Sequence, residues 1–216
     1  MRDIHCHILP GVDDGARDLD DSLAMLEAAK RAGVTSIVCT PHCRDPYFDY
    51  DRMWDAFDLL QAHAGGFPLQ MGFEVNHAKL MDLGMEWADH LHFDGSDEFL
   101  LELSTRADRR DFETYERTIY ELQGRGYRVI IAHPERYAAI QQDIELARHL
   151  VRLGCELQAS ADFIAGGRFG REKKPARRLM DASLYTYIAS DAHNVRHYKY
   201  LAKALKDFTP RGRHFR

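Results

Sequence analysis

Short apolar runs that suit strands alternate along the chain with stretches whose apolar positions recur every three or four residues. The first run is Asp3-Ile4-His5-Cys6-His7, and a helix is predicted over residues 19–32, with Leu19, Leu23, Leu26 and Ala29 on one face. Asp18 is placed to cap that helix and Gly33 to stop it. A second strand (36–40) ends at Pro41-His42, and the loop CRDPYFDY leads into a helix over 51–64. The third strand (69–75) contains Glu74 and is followed by a less regular stretch at 78–89. The fourth (98–103) precedes a helix with Phe112, Tyr115, Ile119 and Leu122 on one face, and the fifth (128–133) precedes a helix over 144–153. A sixth (155–159) passes through Ala165-Gly166-Gly167 into a helix near 174–182. The seventh (187–191) is followed by a last helix near 198–206.

Seven β-then-α units with short connections imply parallel strands joined by right-handed crossovers. No linker, low-complexity tract or change of composition divides them, so one domain is expected over residues 1–216. Periodicity alone leaves two architectures open, a closed barrel and an open doubly wound sheet.

Composition narrows the class. Hydrophobic residues are 45% and charged residues 29% of the 216, values of a globular chain with a core large enough to need no disulfide staples. The formal charge of −5 points away from a nucleic-acid partner. The N-terminus has no apolar signal-like segment, and no run approaches ~18 apolar residues, so neither export nor membrane insertion is expected. Cys6, Cys39, Cys43 and Cys155 form no C-x-x-C pair and are expected as free thiols in a reducing cytoplasm.

Histidine and carboxylate positions follow the strand rhythm. His5 and His7, then His42, Glu74, Glu102, His133, and Asp191 with His193, fall at the ends of six of the seven predicted strands. In a parallel β/α barrel those ends share one rim, where active sites are built. His5-Cys6-His7 places two imidazoles on one face of a strand, and Asp191-Ala192-His193 repeats the spacing. Glu102 stands among Phe99, Leu100, Leu101 and Leu103, where an unpaired carboxylate is costly and a cation would compensate it. Asp13-Asp14-Gly15 suits a tight turn, with Asp14 free to act as a further ligand and Asp13 as a turn or supporting residue.

The strings H-x-H-I-L-P-G-x-D-D-G-A at the start, T-P-H at 40–42, G-F-E at 72–74, L-E-L at 101–103, A-H-P-E-R at 132–136 and A-S-D-A-H-N at 189–194 resemble the PHP (polymerase and histidinol phosphatase) superfamily. The first string with A-H-P-E-R is similar to the bacterial tyrosine-protein phosphatases of capsule and exopolysaccharide synthesis. The resemblance implies a distorted (β/α)7 TIM-like barrel with three divalent metal ions, most often Mn²⁺. It also implies hydrolysis of protein phosphotyrosine by direct attack of a metal-activated hydroxide. By the same resemblance His5, His7, Glu102 and Asp191 hold one metal; Glu102 bridges to a second, completed by Glu74 and His133; and Asp14, His42 and His193 hold the third. Arg136 matches a phosphate-binding arginine and Arg196 approximates a second. The family's Asn after the sixth strand is replaced, since Gln158-Ala159 is followed by Ser160. The implied partner is the tyrosine-rich tail of a bacterial tyrosine kinase.

Mixed nitrogen and oxygen donors suit Mn²⁺, Fe²⁺, Co²⁺ or Zn²⁺ better than Mg²⁺. His42, His193 or a water they orient are the alternatives for protonating the leaving tyrosyl oxygen. Arg44 and Tyr47 follow His42, where an aryl substrate could stack; surface packing of the ring is the other reading. The basic run at 171–174 and the basic terminal run at 211–216 are expected to be solvated. A cysteine phosphatase is excluded, because C-x5-R requires an arginine six residues after the nucleophile and those positions hold Val12, Asp45, Asp49 and Ala161. The alternatives are a PHP phosphoesterase acting on a small molecule, such as histidinol phosphate or a nucleotide 3′-phosphate, and a catalytically idle metal-binding scaffold.

Overall fold

The structure, a computed structural model, describes residues 1–208; the basic run at 211–216 lies outside the described residues. In chain order the elements begin with β1 (Arg2–Asp3), α1 (Leu19–Arg31), β2 (Ser36–Cys39), β3 (His42–Cys43) and α2 (Tyr50–His63). They continue with β4 (Leu69–Met71), β5 (Glu74–Asn76), α3 (His77–Leu83), α4 (Ala88–Leu91), β6 (Glu98–Glu102) and α5 (Asp111–Gly124). The C-terminal half adds β7 (Arg128–Ala132), α6 (Ala138–Gln142), α7 (Glu145–Arg152), β8 (Glu156–Ser160), α8 (Lys173–Asp181), β9 (Tyr187–Ala189) and α9 (Val195–Phe208).

Every strand pairing is parallel, in the orders β1-β2-β4 and β3-β5-β6-β7-β8-β9. The expected second and third strands are each divided, into β2 and β3 and into β4 and β5. Pro41 has no N–H for the ladder. At Gly72 a Cβ would stand 2.5 Å from the Phe93 ring, so only glycine permits the kink to pack there. The divided strands stay in step, because Gly72 N–H donates to the Cys39 carbonyl (2.9 Å) and Glu74 N–H to that of Pro41 (3.1 Å).

The first strand also differs from expectation. Regular pairing covers only Arg2–Asp3, and residues 4–7 continue as a bridge between the two ends of the sheet. Thr40 N–H donates to the Cys6 carbonyl (2.9 Å) on one side. On the other, His7 N–H donates to Ala192 (2.9 Å) and Asp191 N–H to His5 (2.8 Å). These bonds close the ring, so the architecture is the distorted (β/α)7 barrel and not an open sheet.

Alternation along the strands sorts the core. Phe99 and Leu101 face the helices, while Leu100, Ile130, Ala132, Ile4 and Val38 form a separate buried cluster enclosed by the sheet. Glu98 and Glu102 share the parity of Leu100. Glu98 is paired with Arg2 (2.6 Å) at one end of the barrel, and Glu102 opens at the other.

The helices follow their apolar faces. Phe112, Tyr115, Ile119 and Leu122 of α5 are buried as expected. Asp18 caps α1 by accepting from Asp21 N–H, and Gly33 follows it with φ +86°. The buried face of α1, however, is Ser22, Met25, Leu26, Ala28 and Ala29, with Leu19 and Leu23 only partly covered, because α9 and α2 approach it from that side. No helix among the described residues is long and apolar enough to cross a membrane.

Candidate metal centre

The rim at the strand ends gathers the nine proposed donors. His5, His7, Asp14, His42, Glu74, Glu102, His133, Asp191 and His193 fall into four overlapping groups, with the ligand atoms of each within 4.8 Å of one another. The groups are His7-Asp14-His42-His193, His5-His7-Glu74, His5-His133-Asp191 and His42-Glu74-Glu102. Glu74 lies at the centre. Its carboxylate is 2.7 Å from His133 Nε2, 2.6 Å from His42 Nδ1, 3.4 Å from His5 Nε2 and 3.5 Å from His7 Nε2. Glu102 is peripheral by comparison, 3.9 Å from His133 Nε2 and accepting from Asn76 Nδ2 (3.1 Å).

The backbone is shaped around these side chains. His133 and Asp191 are non-glycine residues at φ +31° and +47°, a conformation that costs about 1–3 kcal/mol and persists where surroundings impose it. Here it turns both side chains inward at the ends of β7 and β9. Gly15 admits the Asp13-Asp14 turn, since a Cβ there would stand 2.0 Å from the His7 carbonyl.

A second layer fixes the imidazoles. His5 Nδ1 donates to Gln158 Oε1 (2.9 Å), His7 Nδ1 to Asp13 Oδ2 (2.8 Å) and His193 Nδ1 to the Asp191 carbonyl (2.9 Å). Each therefore directs Nε2 toward the cluster, the arrangement that orients metal-ligating histidines. Asp13 also accepts from the backbone N–H groups of Gly15 and His42. The sixth strand, which offers no donor of its own, contributes this support through Gln158.

The donor set fits a cation. With both Nδ1 atoms donating outward, the Nε2 atoms of His5 and His7 converge to 3.2 Å, a place where a proton or a metal ion can be shared. Glu74 Oε2 and His193 Nε2 are buried without a hydrogen bond, and the short approach of His42 Nδ1 to Glu74 lacks hydrogen-bond alignment. Electrostatics agree. Burial disfavours imidazolium at His5, yet Glu74 and Asp191 outweigh it and raise its pKa to about 10. His42 is likewise opposed by burial and raised by Glu74 and Asp14 to about 9. Despite burial, Glu74 and Asp191 are held well below the usual carboxylate range, by His5 and His42 in the first case and by Arg136 and His5 in the second.

The expected substrate residues are placed unequally. Arg136 lies at the centre's edge, with Nη2 2.5 Å from Asp191 Oδ2 and 3.2 Å from both Asp162 and Ser160; its Nε is buried without an acceptor. Ser160, which stands where the family pattern has Asn, thus accepts from Arg136 and donates to Asp162 (2.8 Å). Arg44 Nη2 is 2.8 Å from His42 Nε2, and the Tyr47 ring stacks on His42 at 5.9 Å. Arg196 touches none of the donors; it lies over Tyr200 at 5.6 Å and lines a cavity of about 470 Å³ beside Asp14, Arg136 and His193. Arg168, not anticipated, borders the same cavity and pairs with Asp14 Oδ2 at 3.2 Å. The glycines before it mark a turn, but nothing in their spacing points that turn at Asp14.

Fold and site together define a barrel protein with a buried multi-histidine, multi-carboxylate centre open to a basic cavity. The chain belongs to the CpsB/CapC family of capsular polysaccharide synthesis, whose model matches residues 1–207. It is 35% identical over 203 residues to the tyrosine-protein phosphatase YwqE of Bacillus subtilis (strain 168), covering 91% of this chain and 78% of that protein. To the putative tyrosine-protein phosphatase CapC of Staphylococcus aureus it is 31% identical, covering 95% and 82%. Among solved structures it matches one from a study of YwqE and of CpsB from Streptococcus pneumoniae, described as unique metal-dependent tyrosine phosphatases. That match has a TM-score of 0.80 at 30% identity, over 97% of this chain and 89% of that one.

Proposed function

We propose that this protein is a metal-dependent phosphomonoesterase that hydrolyses phosphotyrosine in proteins. The observation that carries the reading is the convergence of nine donors on one rim, with Nε2 of His5 and of His7 3.2 Å apart. Relatives named as tyrosine-protein phosphatases support the substrate class over a small phosphate ester.

Three divalent ions, with Mn²⁺ the first candidate, would be held by His5, His7 and Asp191; by Glu102 and His133; and by Asp14, His42 and His193. Glu74, within 3.5 Å of four histidines, would serve more than one of these sites. Such ions supply an activated water and charge neutralisation for in-line displacement at phosphorus. The chain's own residues do the rest. Gln158 and Asp13 keep Nε2 of His5 and His7 directed inward. Arg136 Nε and Arg44 Nε, both buried without an acceptor, are donors available to the phosphoryl oxygens. Tyr47 offers a ring face to the substrate aryl group, and Arg168 and Arg196 line the cavity through which it enters. His42 and His193 both aim Nε2 at Asp14, which suits them to hold the third ion, and water at that site would supply the proton to the tyrosyl oxygen. The implied protein substrate is a tyrosine-rich kinase tail, met in the cytoplasm.

The test is phosphate release from a phosphotyrosine peptide, with histidinol phosphate and a 3′-nucleotide in parallel. Turnover of the peptide that chelation abolishes and Mn²⁺ restores is expected. Turnover of a small ester alone would replace this reading with the other phosphoesterase, and no turnover with metal retained would leave a scaffold.

A further inference from the structure

Arg136 is a wall shared by two hollows. One is the cavity beside Asp14 and His193; the other, of about 790 Å³, is lined by Thr105, Arg106, Gln141, Phe169 and Arg171. The reaction proposed above makes no use of the second. Its arginines differ from those at the centre. Arg44 and Arg168 both reach Asp14, whereas Arg106 and Arg171 are exposed and have no ion-pair partner among the described residues. Phe169, 52% exposed, is a large apolar side chain at the lip between them.

The loop that carries Phe169 and Arg171 is built. Glu172 is fully buried, and its carboxylate accepts from Phe169 N–H (2.9 Å) and Arg171 N–H (2.8 Å) while its own N–H donates to the Gly166 carbonyl (3.0 Å). A buried carboxylate satisfied by the loop's own backbone fixes how that loop presents its side chains. Arg171, Lys173 and Lys174 are exposed as expected of the run at 171–174, and Glu172 alone of the four is buried.

We propose that this second hollow is a subsite for an anionic side chain flanking the phosphotyrosine of a polypeptide substrate. Arg106 and Arg171 hold a carboxylate or a second phosphate, and Phe169 covers the adjoining residue. A chain whose formal charge is −5 thereby presents unpaired positive charge beside its catalytic mouth, where it selects acidic segments. The inference rests on the phosphatase reading, and its test separates the two.

Three peptides are compared, each with one central phosphotyrosine: flanked by aspartates within three residues, flanked by alanines, or carrying a second phosphotyrosine. Non-hydrolysable phosphonate versions report binding by fluorescence anisotropy, and the hydrolysable ones report kcat/KM. Both flanked anionic peptides are expected to be favoured over the alanine peptide by about 2–5-fold per arginine at low salt, chiefly in KM. The advantage shrinks as salt rises. In the R106A/R171A double variant the ratio of anionic to alanine peptide falls to about 1. Equal treatment of the peptides by the unaltered protein, or a preference that survives in the double variant, overturns the subsite. Preference for aspartate alone, or for the second phosphate alone, assigns the anion. If no peptide is hydrolysed but the binding preference is present and lost in the variant, the subsite stands and the phosphatase reading falls.

Discussion

The Nε2 atoms of His5 and His7 stand 3.2 Å apart with Gln158 and Asp13 holding the opposite nitrogens. Glu74 and Asp191 surround these imidazoles with buried negative charge, so binding of cations should stabilise the fold. At 100 times Kd a single site contributes about 2.7 kcal/mol. For a chain of this size that raises Tm by about 5–10 °C. Thermal unfolding with excess Mn²⁺ and with EDTA checks this; identical curves would count against the centre.

Within 4.0 Å Glu74 approaches four histidines and Glu102 one. Glu74→Gln, which keeps the shape and removes the charge, should lose more bound metal than Glu102→Gln. Its activity should fall by at least about 100-fold. Elemental analysis of the two purified variants, with circular dichroism to confirm folding, decides which carboxylate is shared.

The supporting layer has its own signature. Asp13→Asn and Gln158→Leu leave all nine donors in place but release the orientation of His7 and His5. Each should weaken metal affinity or activity by about 10–100-fold. Titration with Mn²⁺ should show the deficit in apparent affinity, and added metal should recover part of the rate.

All four cysteines are buried and free. Burial raises the Cys155 and Cys43 thiols to about 12, and Cys6 and Cys39 are raised as well. Thiolate is the reactive form, so iodoacetamide at pH 7.5 should leave activity unchanged and label cysteine only after unfolding. The sign for stability follows: a raised pKa favours the folded state while the thiols are neutral. That contribution is complete below the ordinary value of 9.0 and is lost as pH rises toward 12. Denaturant midpoints at pH 8 and pH 10.5 should fall in that order.

Much of this was legible because ligand positions and strand ends coincide. His42, Glu74, Glu102, His133 and Asp191 each terminate or follow a run whose apolar alternation could be read directly, and the barrel brings such ends together. The closed ring was not readable from periodicity, since it depends on backbone bonds from residues 5–7 to residues far along the chain. The breaks at Pro41 and Gly72 were not anticipated either, although proline and a glycine packed against Phe93 explain them. Arg168 and Glu172 escaped because a loop's direction is set by tertiary contacts. Glu74 stands nearer the histidines than Glu102 does, a difference of side-chain reach that spacing does not encode.

The most direct measurement is anomalous scattering at the manganese edge from crystals grown with Mn²⁺. Three peaks are predicted within the His5–His193 cluster, with Glu74 between two of them and Asp14 beside the third. Peaks confined to surface carboxylates, with the cluster empty, would contradict a catalytic metal centre at this rim.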